Sequence, residues 1–394
     1  MRQRCLNTLL LIIITVFLLP LFVHAQEESQ LAPADMSFKA EVIEVTREQR
    51  NVDGRGREVV LQVLRLRGRE GEWKDKEFTY DATALNAEVM GQNVYQAGDK
   101  VLALRNVNAE GEEVFYVTDY VRAGRLYFLI FLFLAAVLVV GRWQGMKAFI
   151  GLAATFVILM KFIIPKILAG SNPLLISIIG SLFILMITLY LVHGFNSKTT
   201  IAISGTLISL LVTGLLSILF TNLTRLTGFA DEETAYLMNI GQSVLNMKGI
   251  LLAGMIIGAL GVLDDITVSQ ASIAEQIYKA NPELSQYEIY KRAMKVGIDH
   301  VSSIVNTLVL AYAGASLPLM LLFGVSGPDS LPVGQVINNE VIATEIVRTV
   351  VGSVGLVVAV PITTFIAAYF YKKRIVKPAP VEMRADSHIH THSR

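Results

Sequence analysis

The sequence predicts an α-helical polytopic membrane protein: a signal segment, a small outer β domain and about seven spans. Three observations predict it. The 394 residues are 53% apolar and 17% charged, with a mean hydropathy of +0.53, values outside the soluble globular range. Apolar stretches long enough to cross a bilayer recur from Arg125 to Tyr371. One stretch near the N-terminus instead alternates apolar and polar residues at period two.

Residues 1–25 carry Arg2 and Arg4, then an apolar run from Leu9 to Val23, then Val23-His24-Ala25. This pattern predicts a signal peptide cleaved after Ala25, with an uncleaved signal anchor as the alternative. Residues 36–121 form the outer domain. Phe38–Arg47, Glu58–Arg67, Trp73–Tyr80, Lys100–Asn106 and Glu113–Val121 read as half-buried strands, and Ala82–Met90 as a short helix between the third and fourth. Five strands in that order predict a small barrel of the OB type. Residues 26–122 hold 13 basic and 19 acidic residues, a balance of −6, and an acidic surface argues against nucleic acid as its partner.

The spans are expected at 125–141, 146–168, 173–193, 199–221, 249–273, 300–323 and 341–371. Arg142 and Lys147, Lys198, Lys279 to Lys295, and Lys372 to Lys377 fall on one side, while Asp231 to Glu233, Asp329 and Glu340 fall on the other. By the positive-inside rule the β domain is outside, and the C-terminal tail, 372–394, is cytoplasmic. Asp231–Met247 reads as an amphipathic segment lying in the outer interface.

The most informative residues are Asp264 and Asp265, adjacent acids inside the apolar run Gly249–Ile273. A carboxylate in hydrocarbon costs about 2.5–3.5 kcal/mol on insertion scales, so intramembrane acids point to function, here a proton relay. Gly254, Gly258, Gly261 and Asp265 recur at i+3/i+4, a spacing that lets another helix approach closely. Ser303, Asn306 and Thr307 on the sixth span are the expected polar partners of the acids. Glu345 and Arg348, three residues apart on the last span, are expected to form a structural ion pair.

No P-loop, dinucleotide fingerprint or nucleophile elbow occurs, and the lone Cys5 is no part of a metal-ligand pattern. The expectation is therefore a non-enzyme without cofactor or metal. An intramembrane aspartyl protease needs acids on two facing helices, and both lie on one. The alternative to a permease is a non-transporting scaffold whose outer domain binds a partner protein.

Three blocks carry a resemblance: ALGVLDDITVSQASIAEQ at 259–276, HVSSIVNTLVLAYAGASLPLMLL at 300–322 and IATEIVRTVVGSVGLVVAVPITT at 342–364. Together they resemble the YibE/F family of bacterial membrane proteins over roughly residues 120–375. That implies a multi-pass protein of the bacterial inner membrane. More distantly, the fifth span resembles the proton-carrying helix of resistance–nodulation–division (RND) permeases, with Gly261, Asp264, Asp265, Ile266, Val268 and Glu275 in comparable places. RND proteins, however, carry a large porter domain between their first two spans, and their bundle is two-fold. The resemblance thus implies half of a permease, completed by a second copy or a paralogous partner, with membrane lipid around it.

Overall fold

The structure, a computed structural model of the 394-residue chain, describes residues 37–52, 58–83, 94–107, 111, 113–229, 245–324 and 332–373. The signal segment, the predicted helix Ala82–Met90 beyond residue 83, the amphipathic stretch 230–244 and the tail from 374 lie outside the described residues. The chain divides into two compact units, Met1–Phe133 and Leu134–Arg394.

The first unit holds an antiparallel sheet of β1 (Ser37–Val52), β2 (Glu58–Gly68), β3 (Glu77–Asp81), β4 (Lys100–Val107) and β5 (Glu113–Tyr120), in the order β3-β2-β1-β4-β5. Period-two alternation buries Phe38, Ala40 and Val42 of β1 against Leu64 and Leu66 of β2 and Val101 and Ala103 of β4. The sheet curls enough for Phe78 of edge strand β3 to meet Phe115 of the opposite edge, with ring centroids 4.5 Å apart. No hydrogen-bonded ladder joins β3 to β5 among the described residues, so a five-stranded antiparallel sheet is shown and a closed barrel is not.

Trp73, expected to open the third strand, instead ends a single 3₁₀ turn, Gly71–Trp73. Gly71 has φ +64°, a left-handed turn that glycine adopts without a Cβ penalty. Residue Gln62 is only 3% exposed. Its amide donates to Tyr95 O at 3.0 Å, and its carbonyl accepts from Tyr95 N at 2.7 Å. Those two bonds tie residues 33 positions apart.

The second unit is helical, and the helix that enters it begins at Ala123. Among the described residues, six helices are long and apolar enough to cross a membrane. The first of these, Ala123–Leu168, comprises α1 (Ala123–Ile158), a π turn at Leu159–Ile163 and α2 (Ile164–Leu168). The others are α3 (Pro173–His193), α4 (Ser197–Leu223), α5 (Met247–Ala280), α6 (Gln286–Ala315) and α9 (Glu340–Lys373), with α7 (Leu317–Gly324) and α8 (Val333–Ile337) as short pieces. Seven spans were expected, and the difference lies at Arg142. Ala123–Leu168 has 46 residues, about 69 Å of helix against about 30 Å of hydrocarbon. It breaks at Arg142 (φ 47°, ψ −126°), and Gly145 lies against the Val137 carbonyl. Such close approach eight residues apart requires the chain to turn.

Helix starts follow from their caps. Asn172, Asn196 and Asn246 accept from Leu175 N (3.2 Å), Thr199 N (2.9 Å) and Gly249 N (2.9 Å), and Ser285 Oγ accepts from Glu288 N (3.1 Å). Each satisfies a backbone donor that a helix start leaves without a partner.

The core is a contact of small residues with hydroxyls. On α4, Thr206, Ser209, Thr213 and Ser217 are buried, and each bonds the carbonyl four residues back. Gly355 of α9 sits on Thr213, and Gly205 of α4 sits on Thr363. With no hydrophobic drive between helices in lipid, close backbone approach of this kind is what holds a bundle together.

Candidate functional site

Asp264 and Asp265 lie beyond the middle of α5. Gly249 packs against Pro173, which sets the starts of α3 and α5 level. Asp264 is then about 22 Å along the helix axis, in the third of the apolar layer nearer the end of α3. Consistently, Asp265 is within electrostatic reach of His193, the last residue of α3.

The two acids face different surroundings. Asp264 is half-buried, and its Oδ1 is buried with no hydrogen-bond partner among the described residues. Its main-chain carbonyl accepts from Thr267 Oγ1 at 3.1 Å. The Thr267 hydroxyl also lies 2.6 Å from Thr206 Oγ1, and Thr206 donates to Ala202 O at 2.9 Å. Two hydroxyl protons thus serve three contacts. One turn further, the fully buried Gln270 amide donates to Ala293 O (2.9 Å) and Thr364 Oγ1 (2.7 Å). It ties α5 to α6 and α9, and its Oε1 has no partner among the described residues. Asp264 therefore sits above a polar layer built from four helices.

Asp265 is exposed, on the same face as Gly254, Gly258 and Gly261. That face is opposite the buried one of Leu252, Ala259, Leu263 and Ile266. A Cβ on Gly254 or Gly261 would meet nothing within 4 Å, and one on Gly258 would meet only the Tyr312 hydroxyl, at 3.5 Å. The stripe expected to pack against a helix is open within one chain. It points away from the core because the opposite face, with larger apolar residues, fills the core.

Ser303, Asn306 and Thr307 are also exposed. On α6 the packed positions are Val301, Ile304, Val305, Leu308 and Tyr312, and the polar residues lie on the other side of the helix. Among the described residues neither carboxylate forms a hydrogen bond with any of the three, so the expected meeting of acids and hydroxyls does not occur within one chain. Thr307 Oγ1 bonds back to Ser303 O at 3.1 Å. The Ser303 hydroxyl and the Asn306 amide form no hydrogen bond among the described residues.

Arg348 Nη1 donates to Glu345 Oε1 at 2.5 Å, with both side chains largely buried. Ser316 Oγ is 3.4 Å from Glu345 Oε2. This pair lies toward the end of the bundle marked by Glu340, whose carboxylate accepts from Thr227 N (2.6 Å) and Gly228 N (3.1 Å). A cavity of about 340 Å³ opens beside it, with Val309, Tyr312, Ile342 and Thr349 among its lining. No group of three or more His, Cys, Asp or Glu with metal-binding geometry occurs among the described residues.

Residues 129–373 match the family model of the YibE/F-like proteins. The chain belongs to the YibE/F-like family. No curated protein and no solved structure matches it. The match of this YibE/F-like chain covers the helical region, including both acids, and leaves the β sheet outside it.

Sequence reasoning found the acids and missed Thr206, Gln270, Thr363 and Thr364. A lone polar residue in an apolar helix carries no sign of its partner. The one signal available was the hydroxyl at nearly every turn of α4, Thr199 to Thr221.

Proposed function

We propose that this chain is an integral membrane permease or export component of the bacterial inner membrane, coupled to protons through Asp264 and Asp265. The single observation that carries the reading is the pair itself: adjacent acids on an apolar helix, one with a buried oxygen lacking a partner, the other on an open face. An acid used only for structure is paired, as Glu345 is with Arg348. An acid used to carry a proton must be free to give it up, and neither Asp264 nor Asp265 has a side-chain hydrogen-bond partner among the described residues. The sequence pattern from Gly261 to Glu275, similar to the proton-carrying helix of RND permeases, supports the same reading.

Counting the two halves of Ala123–Leu168 as separate crossings gives seven spans, the β domain outside and the C-terminus cytoplasmic. The acids then lie near the cytoplasmic face. A second copy, or a paralogous chain, covers the open faces of α5 and α6. A carboxylate left facing lipid costs about 2.5–3.5 kcal/mol on insertion scales.

The test is Asp265→Asn and Asp264→Asn, singly and together, in protein reconstituted into vesicles with an imposed pH gradient. Asn preserves size and hydrogen bonding and removes ionisation. Each single variant should insert and fold normally and lose solute-dependent proton movement. Wild-type movement in the double variant would end the proposal and return attention to a scaffold.

A further inference from the structure

Asp265 and the hydroxyl–amide face of α6 are both exposed on the same chain, and they lie at the same depth. Two contacts fix that depth. Gly258 of α5 faces the Tyr312 hydroxyl of α6, and Gly297 of α6 lies against the Gln270 amide of α5. The helices run antiparallel between those points. Asp264 is midway between Gly258 and Gln270, and Ser303 to Asn306 is midway between Gly297 and Tyr312. Asp265 offers only acceptors when ionised. The Asn306 amide offers two donors, and the Ser303 hydroxyl one more.

We infer that two copies of this chain associate about a two-fold axis running along the helices, with α5 of each against α6 of the other. Asp265 of one copy then receives hydrogen bonds from Ser303 and Asn306 of the second. An isologous contact requires each surface to find its complement on the same chain, and residues at equal depth meet when the axis runs through the membrane. The two faces satisfy both conditions. Their chemistry is complementary, acceptor against donor, and among the described residues neither face has an intrachain partner for its acid or its amide. The glycines at 254, 258 and 261 allow the backbones to approach. The inference deepens the permease reading, because the acid's polar surroundings become a property of the pair of chains. One copy alone presents half of each site.

The experiment uses full-length chains in a Cys5→Ser background, with two copies carrying different tags and co-expressed. One copy carries Gly261→Cys and the other Thr307→Cys; membranes are oxidised with copper phenanthroline. A disulfide-linked species bearing both tags is expected. A control pairs Gly261→Cys with Leu215→Cys, which sits on an outward position of α4 at 68% exposure; it should give little or no linked species, because that position lies outside the proposed contact. Adding Asn306→Leu to the Thr307→Cys copy should reduce the linked species about tenfold, the change in association that one interhelical hydrogen bond produces in model peptides, and Asn306→Gln should restore part of it. Adding Asp265→Asn to the other copy should leave the link in place, because an amide still accepts a hydrogen bond. Equal yields from the paired and control positions would overturn the inference. So would unlinked monomers at wild-type membrane levels, which would mean that lipid or another protein covers the face. Indifference of the link to Asn306→Leu would do the same. The disulfide readout does not involve proton movement, so the proton reading can fail while the dimer stands.

Discussion

At the scale of single residues, position in a hydrogen-bond network separates structural polar groups from functional ones. Gln62 is structural. Its amide closes two bonds to the Tyr95 main chain from a site 3% exposed. Gln62→Leu strips both partners and leaves a buried N–H and C=O unmet, at about 1–3 kcal/mol each. Urea unfolding of residues 30–122 should show a midpoint lowered accordingly with the slope unchanged. Gln270 plays the same part among the helices, with two donated bonds to α6 and α9. The two aspartates differ from both, since neither carboxylate has a side-chain hydrogen-bond partner among the described residues. The acids themselves were legible in the sequence, because an acid in an apolar run stands out by cost alone. Their surroundings were not. The small-residue spacing of Gly254, Gly258 and Gly261 says that something approaches, and it does not say whether that is the same chain or another.

Among elements, the strands and helices were legible because each rests on a local period. The predicted strands at Phe38, Glu58, Lys100 and Glu113 begin within one residue of β1, β2, β4 and β5. Trp73 was misplaced because its alternation continues from Glu77, while the left-handed turn at Gly71 is set by glycine freedom that alternation does not report. Which helix faces which was not legible, since α3, α4 and α9 are apolar nearly all round and packing is decided by small residues. The contact of α4 with α9 makes a direct prediction. A Cβ at Gly355 would collide with the Thr213 hydroxyl, and one at Gly205 with that of Thr363. Gly355→Val and Gly205→Val should each destabilise the bundle by about 1–3 kcal/mol, the usual cost of overpacking. Thermal unfolding of the purified protein in detergent checks this. Gly254→Val, on the open face of α5, should leave the isolated monomer's melting unchanged.

The β domain also responds to acid in a defined direction. Hydrogen bonds from Lys39, Arg67 and Arg122 hold the carboxyls of Glu70, Glu77 and Asp119 below their ordinary range. A lowered folded pKa gives stability that is present above the unfolded value, about 4, and lost as pH falls through the folded one. Melting of residues 30–122 should be insensitive to these groups above about pH 5 and decline in more acidic buffer. All three groups are exposed, so the decline should be shallow and weakened by salt.

For the whole molecule, the sequence showed a small β unit followed by an apolar helical region, and the described residues hold a five-stranded sheet and six candidate spanning helices. The seventh depends on the reversal at Arg142, between Gly141 and Gly145, where the local residues permit a turn. The expected barrel is shown only as a five-stranded sheet, because strand order specifies neighbours without specifying whether the last edge pairs. The proposed proton carriage by Asp264 and Asp265 is tested by proton movement in vesicles containing the purified chain, under an imposed pH gradient and across a panel of solutes, comparing wild type with the Asp264→Asn, Asp265→Asn double variant. A solute should accelerate collapse of the gradient through the wild type and have no such effect through the double variant. Equal, solute-accelerated collapse through both would contradict the proposal.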